Sequence, residues 1–223
     1  MASVVDISNA ALAHIGAESL VTSIDPPDGS AEAGYCKMFY PMARRAALEA
    51  ANWSFARTRV QLAEVENVSE VWQYAYAKPA GCLKARRVLP LTLIQIYGAQ
   101  VWPQGFDSPL LNAQALDNLF NERGSTDFEV EGDVLYTNEP TAWLLYTRDI
   151  TDSSKFSAMF TSALGMLLAG YLAGPIIKGR EAINVGTAWT EAGNNMLGKA
   201  SASDANASAE RAEYVPDSIK ARA

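Results

Sequence analysis

Between Phe156 and Ile177 not one side chain carries a charge, and a run of that length either crosses a bilayer or forms a helix buried on nearly every side. The residues inside it separate the two. Ser157, Thr161, Ser162, Gly165, Gly170, Gly174 and Pro175 interrupt the run, while Phe156, Phe160, Leu164, Leu167 and Tyr171 recur at helical spacing as one broad stripe. The pattern favours a central helix whose small residues let neighbours approach closely. A membrane-associated protein is the alternative that the run leaves open. Thr151 or Asp152 is the expected cap and Gly174-Pro175 the expected stop. A chain of 223 residues, 49% hydrophobic and 19% charged, has enough material to enclose such a helix, since folding buries roughly 70% of the unfolded surface at this size.

Helices are expected on both sides of this centre. Ser3 with Asp6 three residues on is a capping pair; Val4, Ile7, Ala11, Leu12 and Ile15 follow on one face, and Gly16 stops the helix. Prolines 26 and 27 and Gly29 make the next stretch a loop, and Ser30 starts a second helix to about Ala51. Its expected apolar face is Tyr35, Met38, Phe39, Met42 and Ala46, with a kink at Pro41. Ala182, Val185, Trp189, Ala192 and Met196 define a last amphipathic helix. From Lys199 the Ala/Ser-rich composition reads as a mobile or weakly helical linker.

The middle of the chain has a different period. Trp53 to Leu62 alternates, with Arg57 and Arg59 sharing a face, and Trp72, Tyr74 and Tyr76 are strand-like. Repeated prolines cut residues 72–125, with a short helix expected over Leu110 to Phe120. Phe128 to Tyr136 reads as two strands joined by Gly132-Asp133, and Ala142 to Tyr146 as a third strand completing a minimal sheet. The expected fold class is therefore mainly α with a small antiparallel β-sheet, an α+β protein: a helical bundle, a β-hairpin region and a flexible C-terminal extension. The expected divisions are bundle helices over 1–52, a β-rich insertion over 53–150 that includes the 127–148 hairpin and sheet, further bundle helices over 151–198, and the tail over 199–223.

The charge balance, Lys+Arg 18 against Asp+Glu 25 for a net −7, has the wrong sign for a protein that grips nucleic acid with its whole surface. The segment Lys37 to Arg87 is nonetheless basic and Asp107 to Asp152 acidic, which in a ring places opposite signs on facing subunits or makes an acidic lumen. Cys36 and Cys82 show neither zinc-ribbon nor disulfide-framework spacing, and the amino terminus has no basic region before Asp6, so reduced thiols in a cytoplasm are expected. His14 is the only histidine, which removes multi-histidine metal sites. No phosphate-cradling glycine loop occurs. The acid pair Glu129 and Glu131, on one face of a strand and ~6–7 Å apart by strand geometry, is compatible with a glycan or cell-wall hydrolase. Alternating acids on a solvated hairpin are the plainer reading.

The stretches Ile7 to Gly16, Phe39 to Arg45, Asn52 to Ala56, Phe128 to Gly132, Tyr146 to Asp152 and Tyr214-Val215-Pro216 resemble, in order and spacing, the head-to-tail adaptor proteins of tailed phages, especially the tail tubular protein A family of short-tailed phages. Residues 88–125 lie outside the resemblance. It implies a structural protein without catalytic residues, cofactor or metal, forming a dodecameric ring at the head-tail junction of a virion assembled in the host cytoplasm. The implied partners are other copies of itself, the portal protein and a distal tail or nozzle protein, with DNA passing through the channel unread. Under that reading Tyr214, Val215 and Pro216 are the expected portal contact, and Glu129 and Glu131 the expected channel lining.

Overall fold

The computed structural model describes residues 2–17, 20–90 and 126–207, and the fold is α+β. Among the described residues four helices, α1 (Val4–His14), α2 (Ala31–Ala50), α3 (Ala158–Ile177) and α4 (Gly179–Ala207), form one body, and seven strands form a second layer inserted between α2 and α3. Local chemistry sets the helix starts. Ser3 and Asp6 bond each other's backbone N–H in a reciprocal capping box on α1, and Ser30 Oγ caps α2. The uncharged run becomes the core: Phe160, Leu164, Leu168 and Leu172 of α3 are fully buried among Ile7 and Leu12 of α1 and Ala33, Ala43 and Leu48 of α2.

Three details of the helices differ from the sequence expectation. Asp152 caps only a short 3-10 turn (Ser153–Lys155), accepting from Ser154 N and Oγ, and Ser157 caps α3. Pro175 stays inside α3, which runs to Ile177 and turns at Lys178 and Gly179, φ 60° and 72°. The Ala/Ser-rich stretch to Ala207 continues α4: alanine favours helix, Ala200 is buried in the core, and Asp204 accepts from Ser54 N (2.7 Å) and Oγ (2.6 Å). The Leu110–Phe120 helix and Tyr214, Val215 and Pro216 lie outside the described residues.

The buried face of α2 is rotated from the expected one, of which Tyr35 and Phe39 are partly buried against the core, Phe39 stacked on Tyr171. Ala33, Cys36, Tyr40, Ala43 and Ala47 face the core, whereas Met38 and Met42 are 60% and 55% exposed. Small side chains let α2 lie close against α3, and closeness outweighs the bulk of the methionines.

The α3–α4 hairpin packs closer still. A Cβ on Gly193 would stand 2.8 Å from Leu167 Cγ, and one on Gly170 would meet Thr190 Oγ1 and lie 3.1 Å from Gly186 O. Overpacking of this kind costs about 1–3 kcal/mol, more than the up to ~1 kcal/mol alanine gains over glycine in a helix. Gly170→Ala is therefore expected to lower the urea midpoint. Gly198→Ala, whose Cβ meets nothing within 4 Å, is expected to raise it.

The strands form two antiparallel sheets. One has the order β1 (Arg57–Gln61), β7 (Ala142–Arg148), β4 (Cys82–Pro90); the other β2 (Glu64–Val65), β3 (Tyr74–Ala77), β6 (Val134–Thr137), β5 (Phe128–Glu131). The β5–β6 hairpin turns at Gly132, φ 58°, as expected. Its third strand does not join it: the stretch expected to extend the hairpin sheet is β7, the centre of the opposite sheet, pairing Arg57 with Thr147 and Leu89 with Trp143. Strand periodicity fixes which residues face inward but not which neighbour is chosen. Tyr76, Leu135, Leu144, Tyr146 and Val88 close the core between the sheets.

Candidate functional site

Glu129 and Glu131 share the outer face of the edge strand β5, opposite Tyr136 and Val134. Both are exposed, and Glu129 Oε2 accepts from Trp72 Nε1 at 3.1 Å. Neither carboxylate lines the cavity beside the start of α1 or the one between α3 and α4. The His14 ring packs tilted against that of Trp189, centroids 4.3 Å apart, and burial pushes its pKa down. Burial pushes both thiols up, Cys36 in the helical core and Cys82 in the strand core, which makes them poor nucleophiles. Among the described residues no group of three or more His, Cys, Asp or Glu is placed to hold a metal ion.

What the fold does bring together is the joint between its two layers. Arg44 Nη2 donates to Asp149 Oδ1 at 2.7 Å and Arg45 Nε to Oδ2 at 3.1 Å, with Arg44 and Asp149 side chains only 6% and 17% exposed. Asp149 N also donates to Gly81 O at 2.9 Å, so one carboxylate residue ties α2, the end of β7 and the turn before β4. Beside it, Arg86 donates to Glu49 O and Ala51 O at 2.9 and 2.6 Å, satisfying carbonyls at the end of α2. Trp53, Phe55, Phe156 and Phe160 fill the other side of the joint, with ring centroids 4.9 to 5.9 Å apart.

Asp28 organises the loop before α2. Oδ1 accepts from Ser30 N and Oγ, and Oδ2 from Thr22 N and Oγ1. These bonds, that from Ser30 Oγ foremost, hold its carboxyl well below the ordinary 3.8. A depressed carboxyl favours the folded state wherever the unfolded chain's aspartate is ionised, so its contribution is complete above about pH 4 and fades on acidification. Asp28→Asn is expected to be less stable than the parent at neutral pH, with the gap narrowing as the pH falls below about 4 in urea titrations. A gap constant over that range would assign the loss to geometry alone.

Two surface features were not legible in the sequence. The β2–β3 loop, residues 66–73, presents Val68 and Val71 at 77% and 80% exposure. Its backbone is fixed by short bonds: Asn67 Nδ2 to Trp72 O (2.7 Å), Ser69 N to Asn67 Oδ1 (2.9 Å), and Val71 N and Trp72 N to Ser69 Oγ (3.2 and 3.3 Å). In the helical body, a groove of about 510 Å³ runs beside the α3–α4 turn, lined by Gly170, Tyr171, Gly174, Ile183, Gly186 and Thr187 among others. No protein-family model matches the chain, and no curated protein matches it.

Proposed function

We propose that this chain is a structural head-to-tail adaptor of a tailed phage, assembling as a dodecameric ring between the portal and a distal tail protein and continuing the DNA channel. The observation that best supports the reading is the joint. Stretches that carry the resemblance are the ones that pack together: Arg44 and Arg45 of Phe39–Arg45 bond Asp149 of Tyr146–Asp152, and Trp53 and Phe55 of Asn52–Ala56 cover Phe156 and Phe160. Their charged and aromatic side chains are occupied in joining helices to strands, which suits a load-carrying part of an assembly and asks for no turnover. Glu129 and Glu131 are assigned to the channel wall, where negative charge keeps DNA phosphates from sticking. Tyr214, Val215 and Pro216 are assigned to the portal contact, with no cofactor or metal involved.

The test is co-expression of the tagged chain with the portal and tail proteins encoded beside it, followed by affinity capture and mass measurement. A ring-sized complex containing portal protein is expected, lost on truncation after Ala207, a boundary that spares the buried Ala200 and the Asp204 bonds. A chain recovered alone, at 24.0 kDa with portal protein present, would sink the reading.

A further inference from the structure

The 66–73 loop belongs to the strand layer and the α3–α4 groove to the helical body. The chain leaves the joint at Ser54, runs out along β1 and reaches the loop after β2. The helix α3 starts next to the joint's aromatic cluster and its 20 residues carry the chain to the turn at Lys178, ~30 Å away at 1.5 Å per residue. The helix α4 then returns to Asp204, which bonds Ser54. Loop and groove are opposite in charge and shape. The loop is a stiff apolar knob bearing exposed Glu66 and Glu70 beside Val68 and Val71. The groove is apolar, with Ile183 68% exposed on its wall, and exposed Lys178 and Arg180 flank Gly179, which lines it. Arg180 lies two helical turns before Thr187 and so on the groove side of α4, while Glu181 is turned about 100° away from it. The one acid lining the groove, Glu191, is about three turns further along α4.

We infer that the Val68/Val71 loop of one copy of this chain docks in the α3–α4 groove of a second copy. The inference rests on the ring reading for the expectation that copies associate, and adds which surfaces meet. Fixed loop geometry leaves little conformational freedom to lose on docking. The acid and base pairs at the rim set orientation and on-rate rather than bulk affinity. Because knob and groove are different surfaces, the contact is head-to-tail: each copy uses its loop on one neighbour and its groove on another, which closes a ring where the rotation per step permits.

Mass measurement by light scattering, across concentration and salt, tests this on the full-length chain. The wild type is expected to associate reversibly, less at high salt, and V68D/V71D to run at 24.0 kDa. The charge-reversed variants E66K/E70K and K178E/R180E are each expected to lose association alone and to recover it when mixed, because each then offers the other a complementary surface. All six substituted side chains sit at exposed positions, so circular dichroism and urea midpoints should match the parent. Association that survives V68D/V71D, or no recovery on mixing, overturns the contact. If such variants still form rings with portal protein, the adaptor reading stands without it. A wild type at 24.0 kDa, alone and beside portal protein, overturns both.

Discussion

Asp149→Ala is expected to cost about 3–5 kcal/mol, the loss typical when one partner of a buried ion pair is removed. The reason lies in what remains. Arg44, 6% exposed at its side chain, would keep its charge with its carboxylate gone, and its Nε already has no hydrogen-bond partner. Against a total domain stability of about 5–15 kcal/mol, that is enough to leave a large unfolded fraction near body temperature. Arg45→Ala removes the other arm of the clamp from a side chain 59% exposed, and is expected to cost no more than about 1 kcal/mol. Urea unfolding of both, followed by circular dichroism, gives the comparison. If Asp149→Ala matched Arg45→Ala, the Arg44 guanidinium would have to reach water in the variant, and the joint would be a looser contact than its distances imply.

Trp53→Ala is the second change expected to have a large effect, about 3–5 kcal/mol for an emptied aromatic site in a core. Trp53 is 1% exposed, meets Phe160 edge-on at 5.0 Å, and donates its indole N–H to Ala47 O at 2.9 Å. It lies between the end of α2 and the start of β1, so the cavity would open where the two layers meet. Trp53→Phe keeps a ring in place and gives up the indole bond, worth about 0.5–1.5 kcal/mol net, and should fall between parent and alanine variant. A phenylalanine variant as unstable as alanine would mean that the bond to Ala47, rather than the packing, holds the joint.

The parts of the fold that local chemistry decides were legible in the sequence. Ser3 with Asp6, Ser30, Gly16 and the Gly132 turn each act within a few residues, and each sits where the spacing places it. Where a choice between distant partners decides the outcome, the sequence carried no signal. The helix α2 has apolar residues on two faces, and only the position of α3 tells which face is covered. The strand β7 could as well have extended the hairpin; its pairing with β1 and β4 depends on segments some 60 to 90 residues away. The bond from Arg44 spans 105 positions. The loop and groove were missed for a related reason: Val68 and Val71 are ordinary residues, and only their exposure and the bonds of Asn67 and Ser69 distinguish them.

The insertion of the strands between α2 and α3 sets a timetable for the nascent chain. On the ribosome α2 is complete at residue 50, but the helix that covers its inner face begins only at residue 158. At about 5–20 residues per second that leaves on the order of 5–20 s in which Cys36, Tyr40, Ala43 and Ala47 on one side and Met38 and Met42 on the other are all uncovered. The sandwich, complete by Arg148, has all of its strands before the helical body has its centre. The helices made after the strands therefore hold the rest: α3 packs against α1 and α2, and α4 returns to bond Ser54.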